Sequence, residues 1–242
     1  MAAIILWEAA ILIWQFPAFI LPGPGLVALR LFKAVSDGSL IRNLLITLFE
    51  VLSGLVIGAG CATVLGYLLA KSPAAERFLS PYLVASQAVP LVAVAPLLII
   101  WFGPGLFSKI LICSLIVFFP VLINTIVGLR AVPETLRELM RSLHATSGQT
   151  MRLLEIPAAM PVFLGGLRVG ATLSVIGAVV GEFIGSDRGL GFLINVGRGQ
   201  YDTALVFAAI FTLIVLALVL YYAVVLIENR LLKWNRITDE QV

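Results

Sequence analysis

The sequence predicts an all-α membrane protein of about six transmembrane helices, and three observations carry that prediction. Hydrophobic residues fill 61% of 242 positions and charged residues only 12%, about half the charged share of an ordinary soluble domain. The charges are also clustered: no Asp, Glu, Lys or Arg occurs over 9–29, 51–70, 78–108, 110–129 and 203–227, and 169–186 is broken only by Glu182. Each run approaches or exceeds the ~20 apolar residues that a helix needs to cross hydrocarbon. The runs are apolar on every face, which excludes barrel strands of alternating character. So apolar a chain has too little interior to hide its surface from water. In lipid the backbone must satisfy its own hydrogen bonds, which makes the runs helices.

The first run lacks a positive leader, carries Glu8 near its start and shows no small-residue cleavage site, so it reads as a retained span rather than a signal peptide. Pro22-Gly23-Pro24-Gly25 cannot continue a helix. Leu26–Val35 then reads as a short amphipathic helix with Arg30 and Lys33, lying at the outer surface. The third run contains Pro81, Pro90, Pro96 and Pro104 and is read as one helix over about 82–102, bent at Pro90 and Pro96. Gly103-Pro104-Gly105 forms a tight turn after it. Beyond the fifth span, Gly189-Leu190-Gly191 lets a re-entrant segment turn sharply. The expectation is one transmembrane domain over 1–242, with both termini cytoplasmic. That orientation places ten Lys and Arg inside against six outside, in the direction of the positive-inside rule. The tail cluster Arg230, Lys233 and Arg236 with Trp234 is its cleanest local sign.

The longest polar connection, 130–161, lies between the fourth and fifth spans. Pro133 and Glu134 stand where a helix start favours them. Leu136, Leu139, Met140 and Leu143 follow at helical spacing as one apolar stripe, expected to face inwards and to leave Glu138 on or beside the exposed face. Thr146 with Gln149 is a capping box for a second short helix, running through Met151, Leu153 and Leu154 until Pro157 interrupts it. His144-Ala145 is the turn between the two.

Other polar residues admit a functional and a structural reading. Glu182 is costly in lipid and so marks a candidate pathway site, or it hydrogen-bonds another span near the outer interface. Gln87, Asn124, Thr172 and Ser174 either line a path or serve as interhelical hydrogen-bonding groups. Cys61 and Cys113 read as buried apolar fillers. His144 is the only histidine, which excludes a histidine-built metal site within one chain, and no other metal site is expected. No lysine follows a glycine, so no phosphate-binding P-loop exists, and nothing points to nucleic acid. An intramembrane enzyme would need a nucleophile or metal constellation that is missing. An ion-coupled secondary transporter would need a paired acid and base near the midplane between repeats, whereas the carboxylates here read as isolated.

The loop resembles the signature of permeases from binding-protein-dependent ABC importers: Glu-Ala-Ala, three residues, Gly, nine residues, Ile-x-Leu-Pro. Glu138-Leu139-Met140, three residues, His144, nine residues and Leu154-Glu155-Ile156-Pro157 keep that spacing, with both alanines enlarged and the glycine replaced by His144. Residues Pro90–Gly103, Phe118–Thr125, Pro157–Pro161 and Gly166-Leu167-Arg168 resemble the nitrate/sulfonate/taurine branch. Gln87–Pro90 and Gly181-Glu182-Phe183 look most like permeases for riboflavin or the thiamine pyrimidine precursor. The resemblance implies a transporter subunit and no enzyme, an ABC importer permease fold, and a bacterial cytoplasmic-membrane location. It implies a cytoplasmic ABC ATPase dimer docking through Glu138, Arg141, His144, Ala145, Thr146 and Pro157, a second permease copy, and an extracytoplasmic binding protein. No cofactor is implied in this chain; ATP and Mg serve the ATPase. The amides, hydroxyls and aromatics of the spans suit a neutral heteroaromatic solute better than sulfonate, taurine or nitrate.

Overall fold

The computed structural model describes residues 2–15 and 17–232, without the side chains of residues 2–4, 12, 84 and 87. The tail cluster Lys233, Trp234 and Arg236 lies outside the described residues. Among those described, the chain is built of α-helices in the order α1 Ala2–Trp14, α2 Pro24–Ser36, α3 Ser39–Lys71, α4 Pro73–Gln87, α5 Leu91–Phe102, α6 Leu106–Arg130, α7 Glu134–Ser142, α8 Ser147–Thr150, α9 Ile156–Gly185, α10 Leu190–Gly199 and α11 Thr203–Leu231. A π-helical turn, Met151–Glu155, joins α8 to α9. Four helices are each long and apolar enough to cross a membrane alone: α3, α6, the continuous Ser147–Gly185 helix and α11.

Proline chemistry sets where the remaining apolar runs break. The first run is not one helix: α1 stops at Trp14, Gln15 takes φ 49°, and the chain restarts at Pro24, the first residue of α2. The third run is two helices rather than one bent helix. Pro90 has no N–H with which to continue the ladder, so Ala88 and Val89 donate to the carbonyls of Ala85 and Ser86 in a tightened last turn, and α5 starts afresh at Leu91. Gly103, at φ 84°, makes the turn expected before Pro104.

The opposite happens at Pro157. It does not interrupt the helix, because it falls in the first turn of α9, where its missing N–H costs least. The Ile156 N–H reaches back to the Met151 carbonyl, the five-residue step of a π turn, and the helical path runs unbroken through both.

At the centre stands α6, packed between α3 and α9. Small residues allow that closeness, as is usual where lipid gives no hydrophobic drive between helices. Gly54 and Gly58 of α3 lie against Cys113 and Ser114 of α6, where a Cβ on Gly58 would come within 2.5 Å of the Ser114 carbonyl oxygen. Gly177 of α9 meets the Cys113 backbone from the other side. Cys113 is therefore the buried filler expected of it, whereas Cys61 lies on the exposed face of α3. An Arg168–Glu228 ion pair ties α9 to α11, with the guanidinium 5.4 Å from the Tyr221 ring centre.

Candidate functional site

The connection 130–161 is a compact helical hairpin at one end of the bundle. Its first helix, α7, closes with paired bonds from the Ala145 N–H to the Met140 carbonyl and from the His144 N–H to the Arg141 carbonyl, both 2.9 Å. This 6→1 and 5→2 pairing requires a left-handed residue after the helix, usually glycine. Here His144 occupies it with φ 53°, and histidine is among the residues that tolerate that conformation best. The capping box forms as expected: the Gln149 N–H donates to Thr146 Oγ at 3.3 Å, and the Thr146 N–H donates to the Gln149 carboxamide oxygen at 2.8 Å.

Most of the apolar stripe of α7 faces the other way from the expectation, although Met140 is half-buried. Leu136, Leu139 and Leu143 are 42%, 53% and 68% exposed, and Leu153 beyond the turn is 67% exposed. The reason is that the side of α7 toward the bundle is taken by a charge. The Arg137 guanidinium donates to the Leu129 carbonyl at 2.7 Å and stands 3.8 Å from Glu155, displacing the leucines outwards. Glu138 is exposed with no recorded partner among the described residues; Arg141 is exposed and paired with Glu134 at 3.1 Å. Ala145 and Pro157 are partly buried. The structure thus brings Glu138, Arg141, His144, Ala145 and Thr146 onto one hairpin, with Pro157 in the helix that continues from it.

At the opposite end a buried polar network joins α3, α6, α9 and α10. Glu182 is fully buried; one carboxylate oxygen accepts from Thr47 Oγ at 2.6 Å and the other from the Gly191 N–H at 2.5 Å. Asn43 Oδ1 accepts the Gly189 N–H at 2.7 Å, and Thr47 Oγ accepts the Leu190 N–H at 2.8 Å. The first amides of α10 are therefore satisfied by α3 and α9, with acceptor oxygens placed at the positive end of the helix dipole. Gly189, at φ 105°, makes the sharp turn that permits this, and a Cβ there would strike the Glu182 carboxylate. Beside it Lys109 Nζ, 7% exposed, donates to Glu50 and to Ser186 Oγ, both at 2.7 Å, and Glu50 is fully buried.

The carboxylates are accordingly not isolated, and Lys109 lies within α6. Sequence reading missed the network because its members are far apart in the chain. A signal was present: Lys109 stands alone between two charge-free runs, the pattern of an intramembrane charge. The same reading missed Glu155, at the variable position of the motif, which is buried within the hairpin.

Of the remaining polar candidates, Ser174 is buried and donates to the Ala171 carbonyl, and Thr172 donates to the Val169 carbonyl. Asn124 donates to the Pro120 carbonyl and packs where a Gly166 side chain would stand. The Gln87 side chain lies outside the described residues. Near it, where α4 breaks from α5, a cavity of about 250 Å³ is lined by Ser86, Val89, Leu91, Phe119, Pro120 and Ile123.

Residues 62–233 match the family described as the binding-protein-dependent transport system inner membrane component. The chain is 46% identical over 235 residues to the riboflavin transport system permease protein RibX of Chloroflexus aurantiacus, covering 97% of this chain and 88% of the relative. It is 34% identical to the formylaminopyrimidine transport permease protein ThiX of Halalkalibacterium halodurans, over 96% of this chain and 92% of that one. To the putative aliphatic sulfonates transport permease protein SsuC of Bacillus subtilis it is 36% identical, over 97% and 88%. In fold it is similar to a chain of the inward-facing MetNI methionine ABC transporter, with a TM-score of 0.70 at 19% identity, covering 81% of this chain and 97% of that one.

Proposed function

Since the chain belongs to the binding-protein-dependent transport system inner membrane components, we propose that it forms half of the membrane pathway of an ATP-driven importer, working as two copies. The outward leucines of the 130–161 hairpin carry the docking assignment. Two exposed leucines on a nine-residue helix and a third at its C-cap, in a segment otherwise rich in charge, form a surface suited to a protein partner. That partner is a cytoplasmic ATPase, which binds ATP and Mg; this chain holds no cofactor and does no covalent chemistry. An extracytoplasmic binding protein delivers the solute, and both termini of this chain lie on the ATPase side.

The solute is a small neutral heteroaromatic, riboflavin or the thiamine pyrimidine precursor. The 46% identity to a riboflavin permease supports this over the 36% to a sulfonate permease. The charge inventory supports it too: Lys109 is consumed by its ion pair with Glu50, leaving no unpaired buried cation for an anion among the described residues. Uptake of labelled riboflavin, hydroxymethylpyrimidine, taurine and nitrate by cells carrying the whole system tests the reading. Vitamin uptake is expected; strong taurine or nitrate uptake without it overturns the solute assignment.

One observation favours an ion-coupled carrier, the buried Glu50–Lys109 acid–base pair. Against it, Glu182 beside that pair is occupied with holding α10, and the family assignment covers most of the chain. Uptake that survives collapse of proton and sodium gradients while ATP remains is expected here, and its loss would favour the carrier.

A further inference from the structure

The side chains that fasten the hairpin to the bundle converge on Glu155. This residue ends the π-helical turn that leads into α9, and it is 1% exposed. Its Oε1 accepts from Lys71 Nζ, on the last residue of α3, at 2.6 Å and stands 3.8 Å from the Arg137 guanidinium of α7. Arg137 in turn donates to the carbonyl of Leu129 in the last turn of α6. A single carboxylate therefore links the ends of α3, α6, α7 and α9. Among the described residues its second oxygen is buried without a hydrogen-bond donor, and the cations beside the carboxylate are Lys71 and Arg137.

A rigid attachment at this point has a mechanical meaning. The exposed leucines of α7 are not seated in the bundle, so packing alone does not make α7 move with α9. π turns are the weakly bonded, deformable places in long helices and recur at functional sites. Without a clamp, displacement of α7 would be absorbed there.

We propose that Glu155 is a positioning residue for energy coupling: with Lys71 and Arg137 it clamps the hairpin to α3 and α9, so that movement of α7 is passed to the spans. The proposal rests on the reading of 130–161 as the ATPase-docking segment. Loss of the clamp leaves docking in place and lets the π turn take up the displacement.

The test uses the full complex purified with its ATPase, on a Cys61→Ser background, spin-labelled at Arg188→Cys in both copies at the far end. Distances are measured without nucleotide and after trapping with ATP and vanadate. With the unaltered clamp, trapping shifts the distance distribution. In Glu155→Gln the ATPase still co-purifies, but the trapped shift in the population ratio falls by about tenfold, within the usual range of allosteric coupling. Lys71→Gln, at a more exposed position and so tolerated by the fold, gives a smaller fall and adds nothing in the double variant; Glu155→Asp restores part of the shift. An unchanged shift in Glu155→Gln, or fully independent effects of the two substitutions, overturns the clamp. Failure of the unaltered chain to co-purify with the ATPase overturns instead the docking reading on which it rests.

Discussion

At position 182 a carboxylate without exposed surface accepts hydrogen bonds from the Thr47 hydroxyl and the Gly191 amide. Glu182→Ala strands both donors in a site closed to water, at about 1–3 kcal/mol for each. Thermal unfolding in detergent is expected to show a clear loss of stability, and a smaller one for Glu182→Gln, which keeps an acceptor oxygen. Unchanged unfolding of Glu182→Ala would remove the capping role. At Gly58 the constraint is steric. A leucine there must enter space held by the Ser114 backbone, and overpacking of this kind costs about 1–3 kcal/mol. Gly58→Leu should lower the melting temperature far more than Gly60→Leu, whose Cβ meets nothing within 4 Å. At this scale the sequence shows which residues are expensive but not what relieves them. Glu182 is conspicuous as a charge in an apolar run, yet its partner Thr47 lies 135 residues away, and nothing in the sequence marks that pairing.

Among the elements, the hairpin was the most legible. The cap at Thr146 and Gln149 and the extent of α7 follow from local chemistry that packing does not overrule. The direction of the leucine stripe was not legible, because periodicity locates an apolar face without saying what covers it; Arg137 decides that, through Leu129 and Glu155. Breaks at proline were half legible. Pro90 ends a helix and Pro157 does not, and the difference is whether the missing N–H falls inside a ladder or in a first turn preceded by a π turn. Glu138→Arg, or Ala145→Glu, is expected to abolish ATP-driven uptake while the protein still inserts; normal uptake with normal ATPase association in both would refute the docking face. His144→Val should also weaken coupling, because a β-branched residue at φ 53° adds about 1–2 kcal/mol of backbone strain. His144→Gly should retain uptake, as measured in the same assay.

For the molecule as a whole, all-α membrane architecture follows from composition and charge spacing alone, whereas the central position of α6 depends on glycines meeting across helices. A complex of two permease copies and two ATPases is expected by mass measurement in detergent; a transport-active, monodisperse particle holding one copy of this chain would exclude it. The unbroken helix Ser147–Gly185, 39 residues, has a contour length of about 58 Å at 1.5 Å per residue. It begins in the hairpin and carries Glu182 near its other end, where the start of α10 hangs from it. Such a shaft is a lever: a tilt of roughly 10° about one end swings the other by about 10 Å over that length. A tilt of that size imposed at one membrane face would thus arrive at the other as a displacement the size of a small solute, with no message relayed from side chain to side chain.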